Sequence, residues 1–332
     1  MAAPLPTEKL HAIAKKSLLH WQLDIISLTL ISQSENTVFR VETAKHETFA
    51  LRLHRPGYHS LAELESEQLW THALADGGIA IPKVEPTEHG KYYVEESLGT
   101  EETSRQVGLI QWLPGEPLSK VLADHPSAAE LHKTYFALGA LIARCHLASM
   151  AWTPPAGFIR HAWDHDGFVG DAPFWGRFWE LASTTQKNRD HLRDIRNALS
   201  LRLDALPKTS QTFGMIHADL HADNVLRNND HLYVIDFDDA GYGWHAFDLA
   251  VAIYHQLDFF HPQARFDTVY SALNAGYDSV RPGCEDIFAQ LPVFLLVRSL
   301  MILKWIEDRP EVRRNDSIPI LIELAKRQSK VF

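Results

Sequence analysis

The chain has 332 residues, enough for one large domain or two modest ones with a substantial buried core. Hydrophobic residues make up 45% of it and charged residues 22%, a composition typical of globular proteins that excludes extensive disorder. The net charge of −10 argues against non-specific nucleic-acid binding, because phosphates would be repelled. Two cysteines are too few for a disulfide framework or a four-thiolate zinc site.

The sequence gives no sign of a targeting or membrane-spanning segment. Its first residues lack an apolar core like that of a signal peptide. The most apolar stretch, 291–306, contains Arg298 and Lys304, which disfavours a membrane span of about 20 apolar residues. We therefore expect a cytoplasmic protein with no membrane contact.

The first 110 residues have a β-rich pattern. Residues 23–53 contain three runs rich in β-branched and aromatic side chains, separated by polar breaks typical of turns. An apolar stripe predicts a helix over 61–75, and two further strands are expected around 91–95 and 105–112. This pattern predicts a mostly antiparallel sheet with one helix inserted after the third strand.

A cluster of turn-forming residues at 113–117 separates this part from a mainly helical remainder. Helices are predicted over 128–148, 174–184, 189–206, 244–257, 262–275 and 285–306, with a last one from Ile318. One strand-like segment, 213–238, interrupts them. The predicted fold class is α+β, with a β-rich domain at 1–110, a hinge at 111–116 and a larger helical domain at 117–332.

The strand-like segment carries the most unusual polar residues of the chain. Asp219, Asn224 and Asp236 are hard oxygen ligands, and apolar runs precede or separate them. Asn224 and Asp236 lie on either side of a predicted turn at 228–230, so their ends can converge at one rim. Two oxygen ligands together with substrate phosphates are how Mg²⁺ is usually bound.

The segment 217–224 has the pattern H-x-D-L-H-x-x-N and is followed at 235–238 by I-D-F-D. This combination resembles the aminoglycoside phosphotransferase/choline kinase family, whose branches include homoserine-kinase-like enzymes and bacterial stress-response kinases. The resemblance implies a bilobal protein-kinase-like fold, ATP and Mg²⁺ as cofactors, and transfer of the γ-phosphate to a hydroxyl group.

The family pattern assigns roles to five residues of the C-terminal part. Asp219 would accept or orient the proton of the acceptor hydroxyl, and Asn224 and Asp236 would hold Mg²⁺. His217 and Asp248 would support the catalytic loop. Together these residues imply catalysis by positioning and charge neutralisation, with no covalent intermediate.

The same resemblance assigns residues of the N-terminal part to the nucleotide. Arg52, steadied by Glu67, would contact the phosphates, although the family usually has lysine there. The loop at 32–37, which would cover the phosphates, contains no glycine. The residues so assigned are Arg52, Glu67, Ser34, Asn36, Gln111, Trp112 and Leu113, the last three through their backbone at the hinge.

A segment rich in tryptophan and aspartate, 158–179, suggests where the acceptor binds. Indole faces beside carboxylates suit an ammonium group, which favours Trp163, Asp164 and Trp175, with Asp238, as acceptor-site residues. Because acidic residues crowd the part of the chain around Asp219, we expect an anionic acceptor to be repelled. The predicted partner is a small amine that carries a hydroxyl group.

Other functions stay open at this point. The stress-response branch phosphorylates protein serine and threonine, and Arg52 with the glycine-free loop would also suit a nucleotide-binding module without turnover. A two-metal phosphoesterase is a distant alternative, because its further metal-binding motifs are missing downstream. The sequence does not distinguish ATP from GTP and leaves the oligomeric state open.

Overall fold

The computed structural model describes residues 5–34, 36–97, 104–123, 126–309 and 314–331. The chain forms two compact units. The first consists of Met1–Leu69, Ile81–Pro114 and Gly157–Ile159, and the second of Trp70–Ala80, Gly115–Ala156 and Arg160–Phe332. Each unit is a set of residues that pack mainly with one another. The boundaries predicted from the sequence, with a hinge at 111–116, stay a prediction.

The strands are short, and most pair antiparallel. They are β1 Ile25–Gln33, β2 Thr37–Thr43, β3 Thr48–Leu53, β4 Tyr93–Glu96, β5 Arg105–Gln111, β6 Glu116–Pro117, β7 Ala162–Trp163, β8 Phe213–Ile216, β9 Val225–Asn228, β10 His231–Val234 and β11 Gly241–Trp244.

The helices dominate the second half of the chain. They are α1 Thr7–Ser17, α2 Leu61–Asp76, α3 Leu118–Ala123, α4 Ala128–Ala151, α5 His165–Val169, α6 Gln186–Asp204, α7 His245–Ile253, α8 Gln263–Val280, α9 Glu285–Ala289, α10 Leu291–Glu307 and α11 Ile318–Gln328. No helix among the described residues is both long enough and apolar enough to cross a bilayer.

The first unit is built on a five-stranded antiparallel sheet in the order β1-β2-β3-β5-β4. Alternate residues of β2 are buried, as expected for a strand with one covered face, and Phe39 and Val41 are fully buried. Leu10 and Ile13 of α1 belong to the same apolar core. Burial of one face of the sheet together with one stripe of α1 therefore stabilises this unit.

In the second unit, α4 and α8 approach each other unusually closely. Gly139 faces the backbone of Leu273, and Gly276 faces the backbone of Phe136, so that a Cβ atom at either glycine would collide with a carbonyl oxygen. Only glycine permits such contact between the helix backbones. The two glycines thus allow the backbones of α4 and α8 to lie in direct contact.

The predicted fold class is confirmed, with an antiparallel sheet in the N-terminal part and a larger helical part after it. The helix predicted over 174–184 is wrong, because only the 3₁₀ turn Phe178–Glu180 forms there. Gly176 has φ 89°, which a helix does not accommodate. The helix predicted over 285–306 is divided into α9 and α10, and Pro292 lies in the first turn of α10. The helix α1 was not predicted.

The turn after β8 contains a strained residue. Ala218 has φ 64°, in the left-handed region that costs an L-residue roughly 1–2 kcal/mol, and it is 1% exposed. The position therefore requires a small residue that tolerates positive φ.

We predict that Ala218→Gly changes the free energy of unfolding by less than about 1 kcal/mol, because relief of strain is offset by a more flexible unfolded chain and by loss of a buried methyl group. Ala218→Val should lower it by about 1–3 kcal/mol, since a β-branched residue is poorly tolerated at positive φ. Urea titration followed by circular dichroism measures both. Equal stability of the two variants would contradict this account of the turn.

Candidate active site

The candidate catalytic segment, residues 217–224, connects two short strands and lies next to the end of a hairpin; it is called the catalytic segment below. It begins after β8 and ends where β9 starts, and β9 pairs antiparallel with β10 through a turn in which Asn229 has φ 55°. The N–H of Ile235 donates to the carbonyl of Asn224 at 3.0 Å. The hairpin therefore brings the chain back to Asn224, and Asp236 is the residue directly after the one that bonds the Asn224 carbonyl.

Asp248, in the first turn of α7, holds the backbone of this segment. Its Oδ2 accepts from the N–H of His217 at 3.1 Å, and its Oδ1 accepts from the N–H of Ala218 at 2.6 Å. The residue is 1% exposed, so both are charge-assisted hydrogen bonds away from water. A single buried carboxylate thus fixes the left-handed turn that leads to Asp219.

Behind Asp248 lies a chain of buried polar groups with consistent donor direction. Arg281 Nη1 donates to the Tyr277 hydroxyl at 2.8 Å, this hydroxyl lies 2.9 Å from His146 Nδ1, and His146 Nε2 lies 3.2 Å from Asp248 Oδ2. Burial lowers the pKa of His146 although Asp248 opposes the shift, so the imidazole is neutral. A neutral ring accepts at Nδ1 and donates from Nε2, which orients the Asp248 carboxylate.

His217 connects the catalytic segment to the strand end that precedes Asp236. Its Nδ1 accepts from the N–H of Asp219 at 3.3 Å, and its Nε2 lies 3.0 Å from the carbonyl of Ile235. The ring also lies beside Phe237, with the centroids 4.9 Å apart. His217 therefore holds the two loops in a fixed relation.

Asp219 is surrounded by three hydrogen-bond donors. Asn224 Nδ2 donates to its Oδ2 at 3.0 Å and to its carbonyl at 2.9 Å. Arg298 Nη2 donates to its Oδ1 at 2.8 Å. His221 Nε2 lies 3.3 Å from Oδ2. Each carboxylate oxygen of Asp219 therefore has at least one donor within reach.

These neighbours keep Asp219 ionised. Burial alone would raise its pKa, but the charges of His221 and Arg298 outweigh burial and hold the pKa of Asp219 below its usual range. An ionised carboxylate accepts a hydrogen bond from a hydroxyl group and does not donate one. The site can therefore orient an O–H group and receive its proton.

Asn224 and Asp236 have the chemistry required of magnesium ligands. The Nδ2 of Asn224 is engaged by Asp219, which leaves its Oδ1 as the ligand atom of the side chain. Asp236 is exposed and has φ 64°, a strained conformation that functional sites often contain. Two hard oxygen donors on adjoining backbone segments fit Mg²⁺, which usually takes its remaining ligands from phosphates and water.

The N-terminal candidates all lie in the first unit. Arg52 stands in β3 opposite Val38 of β2, and Glu67, in α2, is only 3% exposed. In the turn between β1 and β2 the N–H of Ser34 donates to the carbonyl of Asn36 at 3.1 Å, while position 35 of the predicted phosphate loop lies outside the described residues. The Oδ1 of Asn36 accepts from the backbone of the segment after β3. Their predicted roles toward ATP stay predictions.

The predicted hinge has two of its backbone donors engaged within the first unit. The N–H of Gln111 donates to the carbonyl of Lys83 at 2.7 Å, and the N–H of Trp112 donates to the carbonyl of Thr48 at 3.0 Å. Within the described residues the N–H of Leu113 has no such backbone acceptor. Of the three predicted hinge donors, Leu113 is therefore the one whose N–H could bond a base.

Two of the predicted acceptor-site residues have structural partners. Trp163 is fully buried, and its Nε1 donates to the carbonyl of Asp239 at 2.6 Å. Asp164 caps α5 by accepting from the N–H of Gly167 and pairs with Lys208 Nζ at 2.8 Å. In the described part of the chain, neither side chain hydrogen-bonds with the carboxylate of Asp219.

The other two predicted acceptor residues, Trp175 and Asp238, each contact an arginine. Trp175 packs against Arg298, whose guanidinium carbon is 5.3 Å from the indole centroid, and Arg298 in turn bonds Asp219. Asp238 contributes its carbonyl to Arg160 Nη2 at 2.6 Å. The structure therefore connects Trp175 to Asp219 through one arginine.

Sequence reasoning did not identify Arg298 as part of the site. It is 5% exposed and stands in α10 among residues that are almost all apolar. A buried charge is costly unless it is paired, so a lone arginine in an apolar helix was a signal of a partner elsewhere. That partner is Asp219, 79 positions earlier in the chain.

We predict that Tyr277→Phe lowers the free energy of unfolding by about 1–3 kcal/mol, because it leaves His146 Nδ1 buried without its donor. Tyr270→Phe on the same helix is the matched control, since its hydroxyl has no hydrogen-bond partner among the described residues, and it should change stability by less than about 0.5 kcal/mol. Urea titration measures both. Equal effects would show that the buried chain of donors does not stabilise the fold.

Known proteins provide an independent comparison. Amicoumacin kinase of Bacillus subtilis (strain 168) is 24% identical over 242 residues, which cover 71% of this chain and 65% of that protein. The structure of a microcompartment-associated aminopropanol kinase is 28% identical with a TM-score of 0.79, and the match covers 96% of this chain and 95% of that one.

A further solved structure, amicoumacin kinase hAmiN in complex with AMP-PNP, Ca²⁺ and Ami, has a TM-score of 0.78 at 18% identity, with 98% and 96% of the two chains covered. It therefore shares the fold. The family model described as "Phosphotransferase enzyme family", APH, matches residues 27–283, which is well over half of the chain and contains the catalytic segment. The protein is an enzyme that belongs to this phosphotransferase family.

Proposed function

We propose that this enzyme transfers the γ-phosphoryl group of ATP to a hydroxyl group of a small, amine-bearing molecule. The observation that carries the proposal is the Asp219 cluster, in which an ionised carboxylate is bonded to Asn224, beside the segment that bears Asp236. Phosphoryl transfer depends mainly on positioning and charge neutralisation, and this cluster supplies both.

Asp219 orients the acceptor hydroxyl and takes its proton. The hydroxyl oxygen forms a bond to the γ-phosphorus, the bond from that phosphorus to the bridging oxygen breaks, and ADP leaves with the electron pair of that bond. A carboxylate with a lowered pKa is a weak base, but a loose transition state requires little proton abstraction before the new bond forms. Asp219 therefore contributes chiefly by fixing the direction of attack.

Asn224 and Asp236 would hold Mg²⁺ on the phosphates of the nucleotide. The ion supplies neutralisation of phosphate charge when bound. The related kinase whose structure was solved in complex with AMP-PNP and Ca²⁺ supports a nucleotide together with a divalent cation. In the first unit we assign the phosphates to Arg52, with Glu67 as its carboxylate partner, and the base to the N–H of Leu113.

The amine on the acceptor is supported by three observations. One relative is an aminopropanol kinase, whose named substrate is an amino alcohol. The chain carries a net charge of −10, which attracts cations over a distance. The side chain of Asp223, within the catalytic segment, is 66% exposed and can meet an ammonium group.

A coupled assay of ADP release tests the proposal. The panel contains amino alcohols, aminoglycosides, neutral sugars and a generic protein substrate, each with ATP and with GTP at saturating Mg²⁺. We expect the fastest turnover with an amine-bearing alcohol and ATP. Best turnover with the protein substrate would favour the stress-response type of kinase, and nucleotide binding without turnover on any acceptor would overturn the proposal.

We predict that Asp219→Asn reduces kcat by about 10²–10⁴ with little change in the KM for ATP, because Asp219 acts on the acceptor. Asp236→Ala should abolish turnover even at saturating Mg²⁺. The control is Asp230→Asn, an aspartate whose side chain is 83% exposed at the β9–β10 turn, and this variant should keep the wild-type rate. Retention of most of the wild-type rate by either catalytic-segment variant would contradict the assigned roles.

A further inference from the structure

We infer that Arg298 binds a carbonyl-type oxygen of the acceptor, so that the preferred acceptors carry a carboxylate or an amide next to the hydroxyl that is phosphorylated. This inference rests on the proposed transfer from ATP to a hydroxyl group. It adds a requirement for the chemistry of the acceptor, and this requirement comes from a residue outside the motif 217–224.

Arg298 has donors that its surroundings leave unused. Its Nη2 bonds Asp219, whereas its Nε and Nη1 are buried and have no hydrogen-bond partner in the described ranges of the chain. The residue is 5% exposed, so bulk water reaches these donors poorly. Buried donors of native proteins are nearly always satisfied, and an unsatisfied one costs roughly 1–3 kcal/mol.

The guanidinium group is held in one place. Trp175 lies against it, with the guanidinium carbon 5.3 Å from the ring centroid, and Asp219 anchors one of its edges. A planar group that is stacked on one side and bonded at one edge presents its other donors in fixed directions. It is therefore preorganised to bind an oxygen atom without further ordering.

The position of Arg298 also limits where that oxygen lies in the acceptor. The same guanidinium group bonds the carboxylate that orients the acceptor hydroxyl. An oxygen bound by Nη1 or Nε therefore lies only a few atoms from the reacting hydroxyl. Small hydroxy acids and hydroxy amides with two or three carbons between the groups have this spacing.

The charges around Asp219 are compatible with an anionic oxygen. Arg298 balances the charge of Asp219, and His221 lies beside the same carboxylate. His255 stays neutral, because burial together with Arg298 lowers its pKa to about 4. The acidic character inferred from the sequence is therefore compensated here, and the expected repulsion of anionic acceptors does not apply next to Arg298.

The test uses two matched series of acceptors that differ only in the oxygen group. The first is ethanolamine, serinamide and serine, and the second is 3-aminopropan-1-ol, homoserine amide and homoserine. We expect kcat/KM to be roughly 10- to 100-fold higher for the carboxylate or amide member than for the member that lacks this oxygen group. This factor corresponds to the free energy of one hydrogen bond to a charged group. Preference for the carboxylate over the amide identifies an anionic acceptor, and the reverse identifies an amide.

Variants assign the preference to Arg298. Arg298→Lys keeps a positive charge near Asp219 but loses the planar guanidinium group. In this variant kcat/KM should differ by less than about threefold among the members of each series. Arg196→Lys is the control, since Arg196 also stacks on a tryptophan, at 4.7 Å from the Trp179 centroid, and should leave the preference unchanged. Circular dichroism and the KM for ATP verify that each variant is folded.

The possible failures are distinguishable. If the wild-type enzyme phosphorylates ethanolamine or 3-aminopropan-1-ol as well as the oxygen-bearing members, the inference is wrong while the proposed function stands. A preference that persists in Arg298→Lys also overturns it. If no alcohol of any kind is phosphorylated from ATP, the proposed function itself has failed.

Discussion

The catalytic segment depends on one buried carboxylate. Asp248 accepts hydrogen bonds from two consecutive backbone N–H groups, at His217 and Ala218, and thereby compensates for the strain of a left-handed alanine. A second buried layer, from Arg281 through Tyr277 to His146, orients this carboxylate from α8 and α4. The position of the loop is therefore set by packing between helices.

A second constraint is the balance of charge around Asp219. A carboxylate that must stay ionised in a partly buried place requires cations nearby, and Arg298 and His221 provide them. The cation that stabilises the ionised form also carries the unused donors from which we infer the acceptor chemistry. Stabilisation of the catalytic group and recognition of the acceptor would then be two consequences of one arginine.

The sequence was sufficient for the fold class and for the family, because both depend on local patterns. The hairpin after Asn224 followed from its turn residues, and the helix predicted over 174–184 failed at a single glycine, Gly176, whose positive φ leaves no local trace in the apolar pattern. Arg298 and Tyr277 could not be assigned, since their partners lie 79 and 131 positions away. Long-range polar pairs of this kind arise from helix packing and have no spacing rule.

The most direct measurement is kcat of Asp248→Asn at saturating ATP and acceptor. An amide keeps only one accepting oxygen and turns an N–H donor toward a backbone N–H, so it loses one charge-assisted bond to the catalytic segment. We expect kcat to fall roughly 10- to 100-fold in a protein that is still folded by circular dichroism. A folded variant with the wild-type kcat would contradict the claim that this carboxylate sets the geometry of transfer.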